Sequence, residues 1–194
     1  MKTEQQYFQE SKAMAQYMND MTQLKEQSFA IYNGFEVPAN DEFINQLEAV
    51  KLHILAITED WCGDAMINNP IIRKIAEAAN TEIRTVLRDA DTDLIDRYLT
   101  NGGRAIPIYL LLDEAGEVIG TWGPRAPKLQ EFVMNMRAEL PAKEDANFEE
   151  AQKAMYDNMR KQYTENHQMW EYVYEDFKAK ITDVLKDVKV PARV

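Results

Sequence analysis

The stretch Glu59-Asp60-Trp61-Cys62-Gly63-Asp64-Ala65-Met66 decides how this chain is read. It follows an apolar run over residues 52–58 and opens a helical pattern over residues 67–79. A strand that ends in Trp-Cys and turns at once into a helix sets the thiol at the helix N-terminus. There the unpaired backbone N–H groups and the helix dipole favour a thiolate over a thiol. Asp60 and Asp64 put negative charge beside the sulfur and oppose that effect. Cys62 is the only cysteine of the 194 residues. The functional question is therefore what a single thiol at a helix start does.

Outward from this stretch the pattern alternates. Residues 52–58 form a nearly continuous apolar run, as expected of a strand buried on both faces. Pro70 should kink the helix that follows. Residues 82–88 alternate as a strand, and residues 91–100 read as a helix ending before Gly102-Gly103. Residues 106–112 form the next strand, 113–116 a hairpin turn, 117–122 its partner and 126–140 a closing helix. The order β-α-β-α-β-β-α predicts an α/β fold with a mixed central sheet flanked by helices.

Both flanks read as helical extensions. Residues 1–33 are predicted as one helix, with Tyr7, Met14, Met18, Met21 and Leu24 at helical intervals. Residues 29–37 also suit an edge strand. A short helix over 41–50 follows, with Asn40 as its N-cap. Beyond Pro141, the stripes Phe148, Ala151, Met155, Met159, Tyr163 and Trp170, Val173, Phe177, Ile181, Val184, Val188 predict two helices with a break near 164–167. A hairpin packed on the sheet is the simpler reading, and a partner-binding helix the alternative. The expected segments are 1–36, 37–141 and 142–194.

Composition narrows the class. Twenty-two Lys and Arg against thirty-three Asp and Glu give a formal charge of −11, which argues against nucleic acid or an anionic membrane as partner. One cysteine excludes an internal disulfide and fits a reducing compartment. The first twenty residues lack the apolar core of a signal peptide, so a cytoplasmic location is expected. One Cys and two distant histidines, His53 and His167, argue for no metal site, and no cofactor is expected.

These residues together resemble the thioredoxin superfamily. Trp61-Cys62-Gly63 is similar to the start of the family motif Trp-Cys-Gly-Pro-Cys. Pro70, eight residues after Cys62, stands where thioredoxins place a helix-kinking proline. Ile106-Pro107 is similar to the family's cis-proline before a strand, and Gly123 to a glycine after the last strand. The resemblance covers residues 52–140 and implies a thioredoxin-like fold, with the flanking helices as additions. It also implies that the backbone of Ile106 faces Cys62 and pairs with an extended substrate. The alternative for Pro107 is an ordinary trans proline entering an edge strand.

The departures from the motif matter more for function. The resolving cysteine is replaced by Ala65 and the proline by Asp64. Cycling between a dithiol and an intramolecular disulfide is therefore closed to this chain. Cys62 is the candidate catalytic residue. Attack on a disulfide would form a mixed disulfide with a protein or with a small thiol such as glutathione or bacillithiol. The opposing reading is a cysteine that packs as a small hydrophobe. Trp61, Asp64, Ala65, Ile106, Pro107, Trp122, Gly123 and Arg125 are the candidate binding residues around it. Arg125 and Arg104 could hold a carboxylate of a small thiol or stand as solvated surface arginines. A non-catalytic peptide- or protein-binding module is the alternative function, and self-association into a homo-oligomer through the helical extensions a third.

Overall fold

The structure is a computed structural model that describes residues 1–188; residues 189–194, the end of the third expected segment, lie outside the described residues. The first 33 residues do not form one helix. They divide into α1 (Glu4–Glu10), β1 (Lys12–Ala13), α2 (Met14–Asp20) and α3 (Lys25–Gly34). Thr3 and Gln6 make a capping box at the start of α1, and Ser11 ends it in an extended conformation. Lys12 and Ala13 then pair antiparallel with Thr85 and Arg84. Ladder hydrogen bonds to an existing sheet outweigh the helical periodicity of the flanking methionines. Residues 29–37, which also suited a strand, are helical through Gly34, and Phe35 then packs against the Tyr174 ring at 5.9 Å.

Helix α4 (Glu42–Ala49) is capped by Asp41, which accepts from the Phe43 N–H. Asn40, the expected cap, instead takes a left-handed turn at φ 59°. The remaining strands are β2 (His53–Thr58), β3 (Glu82–Leu87), β4 (Ile108–Leu112) and β5 (Val118–Trp122), in the order β1-β3-β2-β4-β5. β2 and β3 are parallel and the other pairs antiparallel, so the sheet is mixed.

Period-two alternation sorts the sheet side chains into two cores. Ile54, Ala56, Tyr109, Leu111 and Trp122 join one core with α5 (Gly63–Ala78), α7 (Pro127–Ala138) and α9 (His167–Leu185). Leu55, Ile57, Ile108, Leu110 and Leu112 join the other with Tyr7 and Phe8 of α1 and with Leu94 and Ile95 of α6 (Thr92–Ile95). Helix α6 is one turn, shorter than expected. Thr100 and Gly103 exchange two backbone hydrogen bonds of 2.9 Å, which takes those residues out of a helix.

The C-terminal hairpin, α8 (Phe148–Glu165) and α9, belongs to the first core. Asn166 separates the two helices and caps α9 through the Gln168 N–H. Phe177 packs edge-on against Trp122 at 5.5 Å, and Trp122 Nε1 donates to Asp176 at 2.8 Å. Tyr174 and Lys178 each bond Asp41 at 2.7 Å, tying α9 to the start of α4. No helix among the described residues is long and apolar enough to cross a membrane.

Candidate functional site

Strand β2 ends at Thr58, and residues 59–61 turn the chain into α5, with Cys62 as its N-cap residue. Its carbonyl accepts from the Met66 N–H at 2.9 Å, which starts the helix. The thiol faces the second core and donates to the Ile106 carbonyl at 3.5 Å. Ala65 lies in the same cluster, where a resolving thiol would stand. The Ile106–Pro107 and Gly123–Pro124 peptide bonds are both cis.

The residue is 8% exposed. Burial, and after it the charge of Asp64, pushes the Cys62 thiol up to about 11. The N–H groups of Ala65 and Asp64, with Arg125 behind them, pull it down by less. The helix start is therefore present, but the thiolate expected from it is not favoured. Desolvation outweighs the dipole, because an N-cap side chain turned into a core meets apolar neighbours instead of water.

Asp64 is held by a largely buried ion pair. Arg125 Nε donates to Oδ1 at 2.8 Å and Nη2 to Oδ2 at 2.6 Å, while its third nitrogen bonds Gln130. Tyr163 of α8 donates to the same Oδ1. Asn68 Nδ2 bonds the Pro124 carbonyl at 2.9 Å, so the loop carrying Gly123 and Arg125 is strapped to α5 from both sides. A Cβ on Gly63 would stand 2.7 Å from Met159 Cε, which shows how closely α8 lies on the helix start. Arg125 is thus brought to the thiol's surroundings but committed to Asp64.

The other flank of the thiol is organised differently. Asp60 accepts from the N–H and hydroxyl of Thr22 and from the Gln23 N–H, at 2.8, 2.9 and 3.2 Å. Burial raises the Asp60 carboxyl, but those donors outweigh it and hold it below its usual range. Glu59 accepts from the Asp89 N–H at 2.7 Å; burial dominates there and raises it. Trp61 is 41% exposed, with the Arg88 guanidinium 4.9 Å from its ring. Arg104 makes a two-pronged pair with Asp96 at 2.6 and 2.9 Å. Trp122 points to the opposite face of the sheet from Cys62 and does not line the thiol site.

Three contributors went unread in the sequence. Tyr163 counted only as a core-stripe residue, and its bond to Asp64 joins positions 99 residues apart. Asn69 links Thr58 to Tyr109 in a buried chain of hydrogen bonds, 2.9 and 2.6 Å. Asn68 gave one local signal, a polar residue on the apolar side of a helix that is almost wholly buried.

Comparison with known proteins follows the same geometry. A family model described as Thioredoxin matches residues 11–140. A crystal structure of a Pseudomonas aeruginosa protein of unknown function superposes with a TM-score of 0.63 at 18% identity, covering 94% of this chain and 99% of that one. An HIV epitope scaffold is similar at a TM-score of 0.62 and 15% identity, with the same coverage. No curated protein matches the chain. The two structures share the fold.

Proposed function

The chain belongs to the thioredoxin family, and from that premise we propose that it is a single-thiol member that forms mixed disulfides slowly through Cys62. The Cys62 thiolate attacks one sulfur of a disulfide. A new S–S bond forms to Cys62, the old one breaks, and the departing thiolate takes up the proton that Cys62 released. No second cysteine resolves the product within the chain, so an external thiol must do so. The observation that carries this reading is the position of Cys62: the N-cap of α5, 3.5 Å from the carbonyl of the residue before cis-Pro107. A thiol of high pKa is also a poor leaving group, so the mixed disulfide, once formed, is long-lived. The partner is a protein or a low-molecular-weight thiol.

The burial of the sulfur favours a second reading, a thioredoxin-fold binding module in which Cys62 only packs. Incubation with glutathione disulfide followed by intact mass measurement separates the two. The first reading expects one glutathione per chain, absent from Cys62→Ser, accumulating faster as pH rises. Unmodified wild-type protein after prolonged incubation at pH 9 would leave the binding module.

A further inference from the structure

Strand β3 is longer than the strand that covers its outer edge. β1 pairs only with Arg84 and Thr85, and the chain then leaves the sheet into α1 on one side and α2 on the other. The Arg88 N–H bonds Thr58 on the inner side at 3.2 Å. Alternation along the strand therefore turns the N–H and C=O of Leu87 outward, where no described strand reaches them. Leu87 is also among the few large apolar residues left exposed.

A cavity of 460 Å³ lies against this free edge, and it falls within the ordinary range for ligand sites, about 300–1,000 Å³. Val86 and Leu87 line it together with Met21, so part of its surface is apolar. Its charge is one-sided. Glu10, Asp20, Glu59, Asp60 and Asp91 line it, against Lys2 and Lys12. The two lysines are already paired with Glu10 and Asp20, at 2.5 and 2.8 Å.

We propose that this cavity is a docking site for an extended basic peptide of a partner protein, which adds a strand beside Leu87 and places lysine or arginine side chains among the carboxylates. Strand addition supplies the hydrogen bonds that Leu87 lacks. The acidic lining selects cationic side chains and speeds their encounter with a chain of net charge −11. Apolar side chains at alternate positions meet Leu87 and Met21. The site adjoins the turn before Cys62 through Glu59 and Asp60, but binding there does not require the thiol chemistry.

The test uses the full-length protein in the presence of a phosphine reductant, with fluorescein-labelled pentapeptides read by anisotropy. A peptide of alternating lysine and valine should saturate the protein, and its binding should weaken as salt is raised. The glutamate–valine counterpart should not bind. Methylating the backbone nitrogens of the lysine–valine peptide at alternate residues removes the ladder donors and should weaken binding about fivefold, the worth of one net hydrogen bond. Asp20→Lys, an exposed change on α2, should weaken it about tenfold. Absence of binding by the lysine–valine peptide overturns the proposal. So does equal binding of the methylated peptide, or displacement by spermine as effective as by the unlabelled peptide, since either means that charge alone is recognised. Because disulfides are excluded throughout, the result is independent of whether Cys62 exchanges.

Discussion

Tyr163 donates its hydroxyl to Asp64 Oδ1 at 3.1 Å, and through that bond the last helical hairpin reaches the residue two places after Cys62. Arg125 holds the same carboxylate with two further bonds. The position occupied by proline in the family motif is here the hub of a buried charge network. Asp64 raises the thiol pKa, while its partner Arg125 lowers it.

Alkylation of Cys62 by iodoacetamide should therefore be slow at neutral pH and rise through about pH 11. At pH 7 the thiolate fraction is about one three-hundredth of that of a free cysteine, whose pKa is about 8.5. Asp64→Asn should move two measurements in opposite directions. Alkylation speeds up because the negative charge is gone. Stability falls by about 3 kcal/mol because the largely buried Arg125 guanidinium is left without its partner charge. A neutral-pH alkylation rate matching free cysteine in the wild type would contradict the burial argument.

Ala65→Cys restores the spacing of the family motif in a place already shaped for it. Positions 62 and 65 share the first turn of α5 and one core cluster. The variant should form an intramolecular disulfide under mild oxidation and gain weak insulin reductase activity with dithiothreitol, where the wild type shows none. Full alkylation of both thiols after oxidation would mean that the two sulfurs do not meet.

Gly123→Ala should be among the most damaging single changes in the chain. Gly123 has φ 120°, and a Cβ there would stand 2.3 Å from the Pro107 carbonyl oxygen, a backbone atom. A loss of about 3 kcal/mol or more is expected. Gly102→Ala is the control: its φ of 76° carries the backbone cost alone, with open space around it. About 1 kcal/mol is expected there. Chemical denaturation of the two variants side by side checks the difference.

Glu59→Gln should stabilise the protein at neutral pH. Burial raises this carboxyl in the folded state above its unfolded value. Its contribution is present in full below the unfolded value and is lost as pH rises through the folded one. Glutamine keeps an oxygen to accept from the Asp89 N–H. The melting temperature of the variant should exceed that of the wild type at pH 7, and the two should converge near pH 4. A lower melting temperature at pH 7 would show that the ionised form is needed.

The sequence carried the sheet and the order of its elements, because strands such as 52–58 and 108–112 announce themselves by continuous apolar residues between turn signals. It placed Cys62 at a helix start for the same reason. It misread residues 1–33, where Lys12 and Ala13 obey the sheet edge and not the helical spacing of their neighbours. The electrostatic state of the thiol was out of reach. The depth of Cys62 depends on Ile106, the packing of α8 and the pairing of Asp64 with Arg125, which are contacts across the chain that no local pattern encodes. The resemblance counted Trp122 among the residues around the thiol, but alternation in β5 sends it to the other face.

The bonds from Tyr174 and Lys178 to Asp41, and from Trp122 to Asp176, also set an order of events during synthesis. Every strand of the sheet has been synthesised by the time residue 122 is made. Until α9 follows, Asp41 at the start of α4 lacks Tyr174 and Lys178, and the indole of Trp122 lacks Phe177 and Asp176. A stop codon after residue 140 would keep the whole span matched by the family model and still yield a chain that lacks the α8 and α9 part of one core. Such a product is a substrate for proteases, although nothing in the span thought of as the thioredoxin unit is missing.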